Sequence, residues 1–267
     1  MAGELAGRFS GLILDMDGVL YRGSVALEGA RELFPALRRA GISFILLTNN
    51  ATLQATDFSD KLARMGITVG ADCILTSAGA TADYLRASFP HGGGAYVVGE
   101  KALVRSVEEL PSFRIETERP DFVVAGLFFG FDYGVLRRAC SAIRAGARFI
   151  ATNVDATLPV EGGELWPGAG SLIAAVQTCS GVAPTVIGKP STHGAEMALA
   201  KMALPAPRVL CVGDRLDTDI VMGRDAGIPT ALLLTGVSQR ADVERSGIVP
   251  DYIYDDLPAL MSALGID

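Results

Sequence analysis

Four short stretches, GLILD (11–15), SFILLT (43–48), RVLCVGD (208–214) and TALLLT (230–235), are apolar almost without interruption. A strand with one face in water alternates apolar and polar residues; a strand covered on both faces does not. These four therefore predict a parallel sheet buried between helices. Segments with helical spacing lie between them. DFSDKLARMG sets Phe58, Leu62 and Met65 near one face and stops at Gly66. HGAEMALAKMAL carries the small and apolar residues of a helix packed on a sheet. GARELFPALRRAG has a similar pattern with Pro35 inside it, which predicts a kink or a late start. Strand, helix, strand in repetition predicts an α/β fold with a doubly wound, Rossmann-like parallel sheet.

The middle of the chain repeats the pattern. AYVVG (95–99), DFVVAGLF (121–128) and RFIAT (148–152) read as strands, with KALVRSVEEL and YGVLRRACSAIRAG as helices between them. HGGG (91–94) reads as a flexible turn and EGGELWPGAG (161–170) as an exit loop. An α/β domain inserted at 79–183 follows, with 1–78 and 184–267 as the core. The alternative is one continuous sheet.

The chain has 267 residues, 49% of them hydrophobic, enough for a large core. Its net charge is −7 with no run of Lys or Arg, which argues against nucleic-acid and membrane-surface partners. No apolar run approaches the roughly 18 residues of a spanning helix. MAGELAGRFS has neither a basic head nor an apolar signal region, so a cytoplasmic protein is expected. Cys73, Cys140, Cys179 and Cys211 are widely spaced and read as buried thiols. Two histidines, His91 and His193, are too few for a His-rich zinc site.

Ligands of open α/β sheets bind at the carboxyl ends of strands. Two of the strands end in acid: Asp15 with Asp17 just beyond, and Asp214 followed by Asp217 and Asp219. A third ends in Thr48, Asn49 and Asn50. Clustered carboxylates repel and are costly to desolvate, and a divalent cation is the usual remedy. Oxygen donors without His or Cys favour Mg2+. Lys189, in VIGKPS, offers further positive charge, and an anionic phosphate beside the metal would complete the balance. Each piece is ambiguous alone. Asp-x-Asp-Gly is often a turn, though no Glu stands at the twelfth position from Asp15 to make a calcium loop. GKPS lacks the earlier Gly of a P-loop, and Pro190 follows its Lys directly.

Taken in order, DMDGV, LLTNN, GKP and GDRLDTD are similar to the motifs of the haloacid dehalogenase (HAD) superfamily. The resemblance implies a HAD core. Far more chain separates Thr48 from Lys189 than a crossover needs, which corresponds to the large α/β cap of that superfamily. DMDGVLYRG, LLTNNAT, TSAGATADYL, ARFIATNVD, PGAGSL, GKPS and GDRLDTDI resemble the NagD-like branch. That branch includes p-nitrophenyl, phosphoglycolate and pyridoxal phosphatase relatives. Val19 stands where many superfamily members have Thr, in agreement with the branch.

The resemblance implies a phosphatase acting on small phosphorylated metabolites (nucleotide, sugar or other phosphate monoesters), with Mg2+ as cofactor. Asp15 would be the nucleophile, forming an aspartyl-phosphate. Asp17 would be general acid, then base; burial under the cap and like-charge neighbours would raise its pKa. An Asp15 oxygen, the Asp17 backbone carbonyl and Asp214 would hold the metal. Asp219 would orient a metal water or Lys189, and Asp217 would be a solvated acid. Thr48, Asn49 and Asn50 would bind the phosphoryl group, and Lys189 would neutralise the intermediate. In ATNVDATLP, Asn153 and Asp155 are candidate substrate contacts from the cap, the alternative being a polar turn. Trp166 is expected to pack, and His193 to begin a helix. A homodimer through the cap is the assembly implied. Three rivals are a dehalogenase, which needs neither Asp17 nor Asp214; a phosphotransferase, whose relevant relatives carry a helical cap; and a receiver domain, about half this length.

Overall fold

The computed structural model of the chain describes residues 3–159 and 164–266. It divides into two compact units: Met1–Thr48 with Ala55–Leu75 and Lys189–Asp267, and Asn49–Gln54 with Thr76–Gly188. The sequence predicts an insertion at 79–183; the second unit spans Thr76–Gly188 together with Asn49–Gln54.

The first unit is built on a six-stranded sheet. Its order is Tyr252–Tyr254, Thr230–Leu233, Val209–Gly213, Gly11–Leu14, Ser43–Thr48 and Ile74–Thr76. Gly11–Leu14 lies in parallel register between two strands, with Ile13 opposite Cys211 on one side and Ile45 on the other. All four of its residues are buried, as are Val209–Gly213 and Thr230–Leu233, which is why none of them alternates. Ile13, Ile45, Leu47, Val209 and Cys211 meet Ala195 and Ala198 of the helix His193–Met202. Truncating Ile13 to Ala there would cost about 2–5 kcal/mol.

The helix Ala30–Arg39 runs across Pro35 rather than starting after it. Pro removes one helical hydrogen bond, but Leu33, Phe34, Ala36 and Leu37 around it are buried and hold the helix on the sheet. Ala55–Arg64 forms the next helix, burying Phe58 and Leu62.

The second unit has a five-stranded sheet ordered Thr185–Val186, Arg148–Ala151, Phe122–Ala125, Gly93–Val98 and Phe113–Ile115, with parallel pairings throughout. The helices Tyr133–Arg144 and Ala169–Ser180 cover it through Val135, Ala139, Ile143, Ile173 and Val176.

Four expectations need correction. HGGG is not simply a turn, because Gly93 and Gly94 open a strand. A Cβ on Gly93 would stand 2.7 Å from Asp121 Oδ2, so glycine there answers a close approach. The exit loop at 161–170 lies partly outside the described residues; of the remainder, Leu165–Pro167 pairs with Thr157–Pro159 as an antiparallel hairpin, and Ala169 begins a helix. Trp166 is 47% exposed, its ring edge-on to Phe129, rather than packed inside. All four thiols are free, but only Cys140 and Cys211 are buried. No helix among the described residues is long and apolar enough to cross a membrane.

Candidate active site

Gly11–Leu14 is flanked by a strand that follows it in sequence and by one from near the end of the chain. Sheet order therefore reverses beside it, the place where open α/β sheets bind ligands. Asp15, Thr48 and Asp214 each sit at the carboxyl end of one of these three neighbouring strands.

The Asp15 amide donates to Val212 O at 2.9 Å, so pairing continues to the strand tip. The chain then turns. The Gly18 amide donates to Tyr21 O at 2.8 Å and Leu20 N–H to Met16 O at 2.8 Å. Gly18 has φ +82°, and a Cβ there would stand 2.5 Å from Asp214 Oδ2. Only glycine meets both demands.

Asp15, Asp214 and Asp219 present carboxylate oxygens within 4.8 Å of one another. Lys189, 4% exposed, holds the group together: Nζ donates to Asp15 Oδ1 at 2.7 Å, to Asp219 Oδ1 at 2.8 Å and to Leu47 O at 3.3 Å. Burial alone would lower the lysine pKa, but the charges of Asp15 and Asp219 overcome it and raise it well above the ordinary range. Lys189 is therefore a fixed cation.

Asp219 lies in a single π-helical turn, Leu216–Ile220. Its Oδ2 accepts from Arg215 N–H at 3.1 Å. A Cβ on Gly213 would fall 2.2 Å from Asp219 Cγ, so glycine admits the side chain to the cluster. Burial pushes the Asp219 carboxyl up to about 6, against the pull of Lys189. Asp217 is exposed and paired with Arg215.

Asp214 is the least satisfied member. Its Oδ2 accepts from Val237 N–H at 2.7 Å, while Oδ1 is buried without a hydrogen-bond partner among the described residues. Burial, then the charges of Asp15 and Asp219, raise its pKa well above the ordinary carboxylate value. Three carboxylates facing one ammonium leave two negative charges, the charge of one divalent cation. The orphaned oxygen and the all-oxygen donor set fit such an ion.

Asp17 differs from expectation. It is exposed at the turn, and the charges that shift it are those of the cations Lys61 and Arg22. Burial of the carboxyl by the surrounding protein still raises its pKa, with Lys61 and Arg22 opposing. Lys61 stands 4.0 Å from the ring centre of Tyr21. Nothing in the spacing of DFSDKLARMG marks Lys61, which stands one helical turn after the buried Phe58.

Thr48, 7% exposed, ends its strand. In the second unit, Asn49, Asn153 and Asp155 form one network. Asn49 Nδ2 donates to both Asp155 oxygens at 3.0 and 3.1 Å, and Asn49 O accepts from Asn153 Nδ2 at 2.7 Å. Ser77, not singled out from the sequence, donates Oγ to the same carbonyl at 2.5 Å. Asn50 Oδ1 is engaged locally by Thr52 N–H and Oγ1, at 2.8 and 2.7 Å. His193 begins its helix, with Nδ1 2.7 Å from Ser191 Oγ.

Two family models match the chain: haloacid dehalogenase-like hydrolase over residues 12–111 and HAD-hydrolase-like over residues 186–260. The ribonucleotide monophosphatase NagD of Escherichia coli is 37% identical over 91% of this chain and 94% of its own. The crystal structure of a 4-nitrophenylphosphatase from Thermotoga maritima superposes with a TM-score of 0.91 at 34% identity, covering 96% of this chain and 98% of that one. A Mycobacterium tuberculosis glycerol phosphate phosphatase in complex with magnesium gives 0.88 at 35% identity, over 97% and 78%. Motif order, sheet order and these similarities agree: the chain belongs to the haloacid dehalogenase-like hydrolases, in their NagD-like branch.

Proposed function

We propose that this protein is a Mg2+-dependent phosphatase of small phosphate monoesters. The observation that carries the reading is Lys189 held between Asp15 and Asp219 while Asp214 keeps a buried oxygen without a hydrogen-bond partner among the described residues. Asp15 attacks phosphorus as the ester oxygen leaves, and Asp17 delivers a proton to that oxygen. Asp17 then takes a proton from the water that hydrolyses the aspartyl-phosphate, which returns Asp15. Thr48 and the Asn49 and Asn50 region bind the phosphoryl oxygens, and Lys189 offsets their charge. An Asp15 oxygen, the Asp17 carbonyl and Asp214 would hold Mg2+, with Asp219 fixing Lys189. The ion would supply charge neutralisation at the transferring group.

The second unit, in this reading, is a cap that selects the ester. Asn153 and Asp155 are its candidate substrate contacts, tied to Asn49, the residue directly after Thr48. The relatives' names span a ribonucleotide, a nitrophenyl ester and a glycerol phosphate, which supports a shared phosphoryl site with a variable leaving group. Exposed Phe129, Tyr133, Leu165 and Trp166 support a homodimer through this unit, which sedimentation would test.

Hydrolysis of p-nitrophenyl phosphate with and without Mg2+ is the direct test. Asp15→Asn should abolish turnover and leave the fold intact; an active Asp15→Asn protein would rule out the nucleophile.

A further inference from the structure

The strand Thr230–Leu233 runs into a loop, Leu234 to Ser238. That loop touches both halves of the acidic site. On one side Val237 N–H donates to Asp214 Oδ2 at 2.7 Å and Ser238 N–H to Asp214 O at 2.9 Å. Ser238 Oγ in turn accepts from Leu216 N–H at 3.1 Å, at the start of the turn that carries Asp219. On the other side Thr235 Oγ1 donates to Gly18 O at 2.7 Å. The Arg22 guanidinium donates to Thr235 O, so the threonine is held from both ends.

Contacts this close leave no slack. A Cβ on Gly236 would stand 1.9 Å from Asp214 Oδ2, and a Cβ on Gly18 would stand 3.2 Å from Gly236 Cα. Both peptides flanking Gly18 are held: its N–H donates to Tyr21 O, and its C=O, on the following peptide, accepts from Thr235 Oγ1. The Gly18 N–H belongs to the peptide that carries the Asp17 carbonyl. A planar peptide held at its N–H fixes the direction of its carbonyl too.

We propose that Thr235 is a positioning residue: its hydroxyl pins the Asp17–Gly18 turn to the loop that holds Asp214, setting the Asp17 side chain and the Asp17 carbonyl relative to the metal carboxylates. The proposal rests on the phosphatase reading above for the roles of Asp17 and Asp214. It adds a tie between two strand tips more than 200 residues apart in sequence. No water is needed to carry it, because the hydroxyl reaches the carbonyl directly.

The test compares Thr235→Val, which keeps the shape and removes the donor, with Thr235→Ser, which keeps the donor. Two readouts are taken: steady-state hydrolysis of p-nitrophenyl phosphate, and Mg2+ binding to metal-free protein by calorimetry without substrate. Thr235→Val should lower kcat about tenfold with KM within about twofold, and weaken Mg2+ binding several-fold, the scale of one lost hydrogen bond. Thr235→Ser should restore both. Wild-type kcat and Mg2+ affinity in Thr235→Val would overturn the proposal, as would equal impairment in Thr235→Ser. Thr235→Ala is the second hydroxyl-free variant; failure of both to fold where Thr235→Ser folds would mean a structural role and would also overturn it. If Asp15→Asn proves active, the phosphatase mechanism fails, but the calorimetric comparison still decides the tie.

Discussion

Lys189 Nζ lies 2.8 Å from Asp219 Oδ1, and both side chains are almost wholly buried. The same ammonium reaches Asp15 at 2.7 Å. A buried pair of this kind is weak evidence for stability as a whole, yet removing one partner leaves charge without compensation.

Lys189→Met should therefore destabilise the protein by about 3–5 kcal/mol in urea unfolding and abolish phosphatase activity. Lys189→Arg should not restore activity, since a planar guanidinium cannot replace a point charge shared between two carboxylates and the Leu47 carbonyl. An active Lys189→Arg enzyme would show that charge alone suffices.

Asp214→Asn separates stability from function. When ionised, the carboxylate has a buried oxygen without a hydrogen-bond partner among the described residues, and the amide removes that charge while keeping an acceptor for Val237 N–H. Metal-free Asp214→Asn should melt at or above the wild-type temperature. Mg2+ should no longer raise its Tm, and turnover should be lost. A marked fall in metal-free Tm would contradict the geometry.

The pH dependence follows from the same two carboxyls. Burial raises Asp219 from its ordinary value of 3.8 to about 6, and burial with the charges of Asp15 and Asp219 raises Asp214 well above its ordinary value. Within that window the folded state binds protons that the unfolded state has released. Metal-free stability therefore falls as pH rises through it, and the cost of ionisation is fully present above it. Mg2+ favours the ionised forms, so its protection grows as pH rises. The Tm gain on adding Mg2+ should be larger at about pH 7.5 than at about pH 5; equal gains would refute the assignment.

Gly236→Ala should damage the site without touching a charge. The added methyl would stand 1.9 Å from Asp214 Oδ2, and 2.4 Å from its Cβ, so loop or carboxylate must shift. A displacement of about 1 Å at such a site can cost ~100-fold in rate. Steady-state kinetics should show the loss mainly in kcat, with the circular dichroism spectrum unchanged.

Much of this molecule is legible in its sequence, because the signals are local. A strand covered on both faces must be apolar throughout, so GLIL and VLCVG mark themselves, and the acids that follow must lie at strand ends. Gly18 after two nearby acids announces a turn. A late helix start at Pro35 and a plain turn at HGGG do not hold for the opposite reason: burial of a helix face and close approach to Asp121 are decided by distant residues, and they outweigh local preference. Tertiary structure alone sets Val209–Gly213 beside Gly11–Leu14, since parallel pairing joins segments that share no local pattern. It alone buries Asp214 beside two other acids, places one lysine between two acids, and lets Thr235 reach Gly18. Residue identity determined which groups could do the chemistry; long-range packing decided their distances, and electrostatics and hydrogen bonding depend on distance.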